Sequence, residues 1–263
     1  MISAEPVIHA IVLAGGMATR LYPLTQSIPK CLVPCAGRPF IDYQLMFMAN
    51  KGVQRVTFVL GYLGEMAVEH LQKLKVPGLH IDWILEGSQR LGTGGAVDLA
   101  LRSGSIGEAF LVVYGDSFMP IDYGQVWQTA VNLQSKAMMT VLHNKGQFER
   151  SNCSFKSPWV PHYSKDPVVQ ARERFEYVDY GVTYWQTEAF KMASPELPVW
   201  DLADAMRSLS LAGKMHGLEV GERFYEIGSP SGLSEFRQVL DGEIDHELGS
   251  MLKSLITEKL ESQ

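Results

Sequence analysis

Short runs crowded with β-branched and other apolar residues recur along the chain at 8–13, 55–60, 80–85, 109–114 and 137–143, each ending in a polar or glycine-containing break. Runs of this length and composition read as strands, several of them buried on both faces. Between most of them apolar residues return at the helical period. One predicted helix covers 41–51, after Gly37-Arg38-Pro39, and another covers 64–74, after Gly61-Tyr62. Strands alternating with amphipathic helices predict an α/β fold, a mainly parallel sheet flanked by helices. Ligands of such sheets gather at the carboxyl ends of the strands, where the glycine-rich loop after Leu13 and the Gly115-Asp116 pair after Tyr114 would both lie.

The rhythm breaks over 144–178, which is rich in serine, proline, aromatic and charged residues and reads as a hairpin or lid-like insertion. A further β-rich stretch at 177–185 leads to a helix starting near Asp201, and a final helix or helix pair is predicted over 231–260. A length of 263 residues fits one domain, with a first part at about 8–143, a second at about 144–230 and a helical segment at 231–263.

Chemistry concentrates first in Leu13-Ala14-Gly15-Gly16-Met17-Ala18-Thr19-Arg20-Leu21-Tyr22-Pro23-Leu24-Thr25, followed by Pro29-Lys30. Two glycines after a strand let successive backbone N–H groups face an anion. Arg20 supplies a forked donor suited to a polyphosphate and Lys30 a compact charge on a long stem. Neither the Walker spacing nor G-x-G-x-x-G is present, and a plain glycine turn flanked by two solvated cations is the alternative.

This string resembles the opening signature of the sugar-1-phosphate nucleotidylyltransferases, L-A-G-G-x-G-T-R-L-x-P-L-T followed by P-K. Ala18 stands where that family has its second loop glycine, so the turn is expected to accommodate a Cβ without a glycine-only conformation. The resemblance implies a Rossmann-like, GT-A-like nucleotidyltransferase fold with a β-rich sugar-binding insertion. It also implies Mg²⁺ as cofactor and a reaction in which an NTP and a sugar 1-phosphate give an NDP-sugar, for cell-surface glycan synthesis, and pyrophosphate. Leu13, Ala14, Gly15, Gly16, Thr19, Arg20, Lys30 and Tyr114 would then surround the nucleotide, with Arg20, Lys30 and Asp116 as the catalytic set.

Further matches extend the resemblance. Leu91-Gly92-Thr93-Gly94-Gly95-Ala96 is similar to the family's L-G-T-x-G-A, which would set Gly92 and Thr93 against the base with Glu86 nearby; a helix start capped by Thr93 is the alternative. A carboxylate only accepts hydrogen bonds, and guanine offers adjacent N1–H and N2–H donors, so Glu86 favours GTP. Through this motif and Glu86 the chain also resembles the heptose-1-phosphate guanylyltransferase branch, which implies a heptose or hexose 1-phosphate as acceptor. Asp116, a hard oxygen donor after a strand, suits Mg²⁺ or else caps the next helix. Phe224-Tyr225-Glu226-Ile227-Gly228-Ser229-Pro230 resembles the family's Y-x-D-I-G-x-P, whose acid is the second metal ligand and is Glu226 here; a strand–turn–helix corner in which Gly228 and Pro230 start the last helix is the alternative. Asp179, Tyr180 and Gly181 match the place where the sugar is read. Lys165 matches the sugar-phosphate lysine, while Ser164 replaces a sugar-binding glutamate.

The net charge of −6 argues against a general nucleic-acid binder. Cys31, Cys35 and Cys153 read as reduced structural thiols. No signal-peptide pattern or membrane-length apolar run is apparent, so a cytoplasmic protein without membrane partners, in a possible homo-oligomer, is expected. The histidines show no metal spacing and no G-x-S-x-G elbow occurs. Two other readings are a non-catalytic nucleotide-sugar sensor and a nucleotidyltransferase for phosphocholine. The latter would need a cage for the ammonium near Asp179, Tyr180 and Trp185.

Overall fold

The computed structural model describes residues 7–87, 89–148 and 150–260, the side chains of 259 and 260 apart. In chain order the elements are β1 (His9–Ala14), β2 (Pro34–Cys35), β3 (Arg38–Pro39), α1 (Phe40–Asn50), β4 (Arg55–Leu60), α2 (Gly64–Lys73), β5 (His80–Leu85), α3 (Gly92–Arg102), β6 (Ala109–Tyr114), β7 (Ser117–Phe118), α4 (Tyr123–Asn132) and β8 (Ala137–His143). There follow β9 (Cys153–Lys156), β10 (Trp159–Tyr163), α5 (Pro167–Arg172), β11 (Tyr177–Gln186), α6 (Thr187–Ala193), α7 (Leu202–Leu211), β12 (His216–Val220), β13 (Tyr225–Glu226), α8 (Pro230–Asp241) and α9 (His246–Leu260).

A nine-stranded sheet runs β5-β4-β1-β6-β11-β8-β12-β10-β9. The expected parallel character is concentrated in β5-β4-β1-β6 and returns at β8-β12, whereas β11 is antiparallel to both β6 and β8. The predicted insertion is a hairpin, but not a lid: β9 and β10 extend the sheet beyond β12, and β9 also touches β11 at Tyr177. A lid would leave these strands' backbone groups unpaired; as sheet members they are satisfied.

Two apolar layers cover the sheet. Ala96, Val97 and Ala100 of α3, Phe190 of α6 and Met206 of α7 pack on one face; α1, α4, α8 and α9 supply the other. Helix α1 is buried on nearly every side, which is why its sequence, Phe40 to Met48, shows little polar face. Its two interior polar residues are both engaged. Asp42 meets His70 at 2.6 Å, and the Gln44 Nε2 donates to the carbonyls of Tyr114 and Ser117, each at 2.9 Å. Among the described residues no helix is long and apolar enough to cross a membrane.

Candidate active site

Register builds the site. Leu13 pairs with Tyr114, Ala14 with Leu60, and Leu60 with Leu85, so four parallel strands stop at one level and Gly15, Gly61, Glu86 and Gly115 follow side by side. A cavity of about 260 Å³ opens at this edge, lined by Leu13, Gly15, Gly16, Val59, Glu86, Arg90, Gly92, Thr93, Ala96, Tyr114 and Asp116. Nine of these belong to the motifs legible in the sequence; Val59 and Arg90 do not. The Glu86 carboxylate is wedged between backbones: its Oε2 lies 2.4 Å from where a Cβ on Gly15 would stand and 2.5 Å from one on Gly61. The glycines therefore make room for Glu86 as well as for a ligand. Burial raises the Glu86 pKa, and the charge of Arg90 partly offsets the rise.

At the other end, Arg20 and Lys30 converge on Gly228. A Cβ there would lie 2.9 Å from the Lys30 Nζ and 3.1 Å from the Arg20 Nη2. Lys30 also donates to the Asp116 carboxylate, which accepts from the Ser117 hydroxyl as well. Gln44 fixes this turn from below through the carbonyls on either side of Asp116. No sequence pattern marks Gln44, because it is a helix residue whose partners lie 70 and 73 positions away.

Two expectations for the first loop change. Ala18 adopts φ 48°, ψ 51°, the left-handed conformation that a glycine would take there, and it is held by hydrogen bonds to its carbonyl from Leu21 N and the buried Thr25 hydroxyl. Local hydrogen bonding thus overrides the steric preference of a Cβ. Ala14 packs its methyl beneath Gly115 and does not line the cavity, since alternation along β1 turns it to the opposite face from Leu13. Thr19 and Arg20 begin a short exposed helical turn, Thr19–Leu21.

The glycines of the second motif lie inside the first turn of α3. Gly94 and Gly95 donate to the Trp200 carbonyl, and a Cβ on Gly94 would fall 2.3 Å from the Trp200 ring. Trp200 is anchored by its Nε1 to Asp98 at 2.9 Å. Thr93 caps no residue of its own helix: its hydroxyl donates to Asp201 Oδ1 and accepts from Leu202 N, tying the first turn of α3 to the start of α7. Trp200 and Asp201 are tertiary partners that local spacing does not reveal.

Beyond Tyr114 lie Lys165 and Asp179. The Lys165 Nζ stands 5.8 Å from the Tyr114 ring centroid, and its charge partly offsets the rise that burial imposes on the Asp179 pKa. Asp179 accepts from Gly181 N at 3.0 Å and from the Tyr163 hydroxyl at 3.3 Å, while its own N–H donates to Asn152. Tyr163 and Asn152 sit in the insertion, whose loose match concealed them. Tyr180 corrects the sequence reading: strand alternation in β11 sends its ring to the other face, edge-on to Phe224. Trp185 is fully buried against Phe190, so neither ring can cage a cation beside Asp179. Ser164 is buried in a local turn, accepting from Asp166 N.

Glu226 pairs with Ser117 in the β7–β13 ladder, and Ile227 N donates to the Asp116 carbonyl. The two acids are therefore close along the backbone. Glu226, however, lines a neighbouring groove with Arg223, Ser231 and Gly232, and among the described residues no group of three or more metal-ligating side chains occurs. Cys31 and Cys35 are buried with thiol pKa values pushed up to about 12, which removes them as nucleophiles.

The family model described as "Nucleotidyl transferase" matches residues 9–151, more than half of the chain, including the first loop, the α3 turn and Asp116. The chain belongs to the nucleotidyl transferase family. Among relatives, it is 26% identical over 225 residues to the bifunctional protein GlmU of Methanococcus maripaludis, covering 84% of this chain and 51% of that one. It is 30% identical over 142 residues to the D-glycero-alpha-D-manno-heptose 1-phosphate guanylyltransferase of Campylobacter jejuni, covering 54% of this chain and 60% of that one. The chain thus spans about half the length of the curated relatives it matches over most of its own residues. The crystal structure of HddC from Yersinia pseudotuberculosis complexed with GMP-PN superposes with a TM-score of 0.71 at 20% identity, covering 88% of this chain and 99% of that one. That likeness places the α/β nucleotidyltransferase fold across most of the chain, beyond the end of the family match at residue 151.

Proposed function

We propose that this nucleotidyl transferase moves a nucleotidyl group from an NTP to a sugar 1-phosphate, releasing pyrophosphate. The observation that supports the reading is the pairing of Lys30 with Asp116, a cavity-lining residue, and the convergence of Lys30 and Arg20 on Gly228, with Lys165 and Asp179 near the cavity-lining Tyr114. A sugar phosphate held at Lys165 is already an anion at neutral pH and needs no general base to attack the α-phosphorus. Catalysis is then positioning and charge neutralisation, without a covalent enzyme intermediate. Arg20 would grip the leaving pyrophosphate and Lys30 the phosphates near the reacting centre, while Asp179 accepts from sugar hydroxyls.

Mg²⁺ fits this arrangement with Asp116 as the principal holder and Glu226 next to it through the ladder. An ion bound by one or two carboxylates completes its shell with water and substrate phosphate oxygens, so a larger protein cluster is not required. When bound, it would neutralise charge on the phosphates. Glu86, an acceptor-only group in the cavity wall, supports GTP as the favoured nucleotide, and the name of the heptose 1-phosphate guanylyltransferase relative agrees with it.

The test is a matrix of four NTPs against hexose and heptose 1-phosphates, with pyrophosphate release and the nucleotide-sugar product both measured. Turnover with at least one pair, and GTP fastest, is expected. Tight nucleotide-sugar binding without pyrophosphate release under any pair would replace this reading by that of a sensor.

A further inference from the structure

One basic side chain lines the cavity far along the chain from the phosphate loop: Arg90, in the turn between β5 and α3. It shares the cavity wall with Glu86 and with the apolar side chains of Leu13, Val59 and Ala96. Glu86 is fixed against the Gly15 and Gly61 backbones, whereas Arg90 is exposed at the cavity's mouth. An acid and a guanidinium thus line one cavity. Their charges sense each other, since Arg90 counteracts the rise that burial imposes on the Glu86 pKa.

This polarity pattern matches one base better than the others. Guanine carries the N1–H and N2–H donors on one side and the O6 and N7 acceptors on the next. A carboxylate complements the first pair, and a guanidinium fork complements the second. Adenine reverses both signs at positions 1 and 6, leaving an acceptor towards the acid and a donor towards the cation. Cytosine likewise turns an acceptor, N3, towards a carboxylate.

We propose that Arg90 is a specificity-determining residue that donates to O6 and N7 of a guanine base whose N1–H and N2–H are accepted by Glu86. The proposal rests on the nucleotidyl-transfer reading and names the base that the cavity selects. Arg90 touches the base and not the phosphates, so its loss should change nucleotide choice more than turnover at saturation.

The experiment measures dissociation constants by calorimetry and kcat/KM by pyrophosphate release for GTP, ITP, 6-thio-GTP, 7-deaza-GTP and ATP. It compares the wild type with Arg90→Ala, Arg90→Lys and Glu86→Gln. ITP lacks only the 2-amino group; 6-thio-GTP weakens the acceptor at position 6, and 7-deaza-GTP removes that at position 7. In the wild type each analogue should bind about tenfold or more weakly than GTP, the loss of one good base contact. Arg90→Ala should abolish the 6-thio and 7-deaza penalties and keep the ITP penalty, Glu86→Gln should reduce the ITP penalty, and Arg90→Lys should restore part of the acceptor readout. Equal binding of GTP and its 6-thio and 7-deaza analogues by the wild type, or unchanged penalties in Arg90→Ala, overturns the role of Arg90 while leaving nucleotidyl transfer intact. Failure of the wild type to bind any nucleoside triphosphate overturns both.

Discussion

Lys30 and Asp116, 86 positions apart in the chain, form an ion pair beside Gly228, and the Lys30 ammonium and the Arg20 guanidinium crowd the same glycine. Two consequences follow for activity. Lys30→Ala and Arg20→Ala should each lower turnover by about tenfold or more, the range expected when a charge aimed at a transferring phosphoryl group is lost. Lys30→Arg should not restore it, because the wider planar head has no room between Asp116 and Gly228. Asp116→Asn should raise the Mg²⁺ concentration needed for half-maximal rate, since the amide removes the charge that holds the ion. Steady-state rates across a metal titration check all four variants, and near-wild-type rates in both alanine variants would remove the phosphate-holding role.

Gln44 positions the Asp116 turn without facing the cavity. Gln44→Leu keeps the bulk but leaves two buried carbonyls without their donor, so it should destabilise the fold by about 1–3 kcal/mol. It should also raise the Mg²⁺ requirement more than the KM for nucleotide. Chemical denaturation and the same metal titration test this, and a stable variant with an unaltered metal requirement would show that Asp116 is positioned by other contacts.

Ala18 carries a left-handed backbone at φ 48°. Ala18→Gly removes a steric cost of about 1–2 kcal/mol, partly offset by the greater freedom of an unfolded glycine, and a net gain of up to about 1 kcal/mol is expected. A lower urea midpoint for the glycine variant would contradict the assignment of strain to this residue.

His9 is buried, bonded to the Thr57 hydroxyl at 2.8 Å, and its pKa is lowered to about 4, first by burial and then by the nearby Arg55 charge. The folded state therefore resists a proton that the unfolded chain binds below about pH 6.5. The stability that neutral His9 preserves is complete above that pH and declines as pH falls towards about 4, by an amount on the order of 3 kcal/mol. Urea unfolding at pH 7.5 and pH 4.5 should show a larger acid loss in the wild type than in His9→Gln, which cannot titrate. Equal losses would mean that His9 is not held neutral by the fold.

The local elements were legible in the sequence, and so was the charge pattern of the first loop. Apolar runs as long as β4, β5, β6 and β8 admit little but strands between helices, and a glycine pair followed by arginine and lysine carries its own anion-binding logic. The parts decided by tertiary structure all depend on contacts between distant positions. Register placed Glu86 against Gly15 and Gly61, a long-range sheet contact set Tyr163 under Asp179, and α1 delivered Gln44 beneath Asp116. Strand parity turned Tyr180 away from the site although its neighbours Asp179 and Gly181 face it, because a period of two assigns adjacent residues to opposite faces once β11 is docked. Gly92 and Thr93 of the second motif line the cavity, but nothing in the motif announces the Trp200 ring that occupies the notch at Gly94. A glycine in a sequence announces space, and only the folded chain decides what fills it.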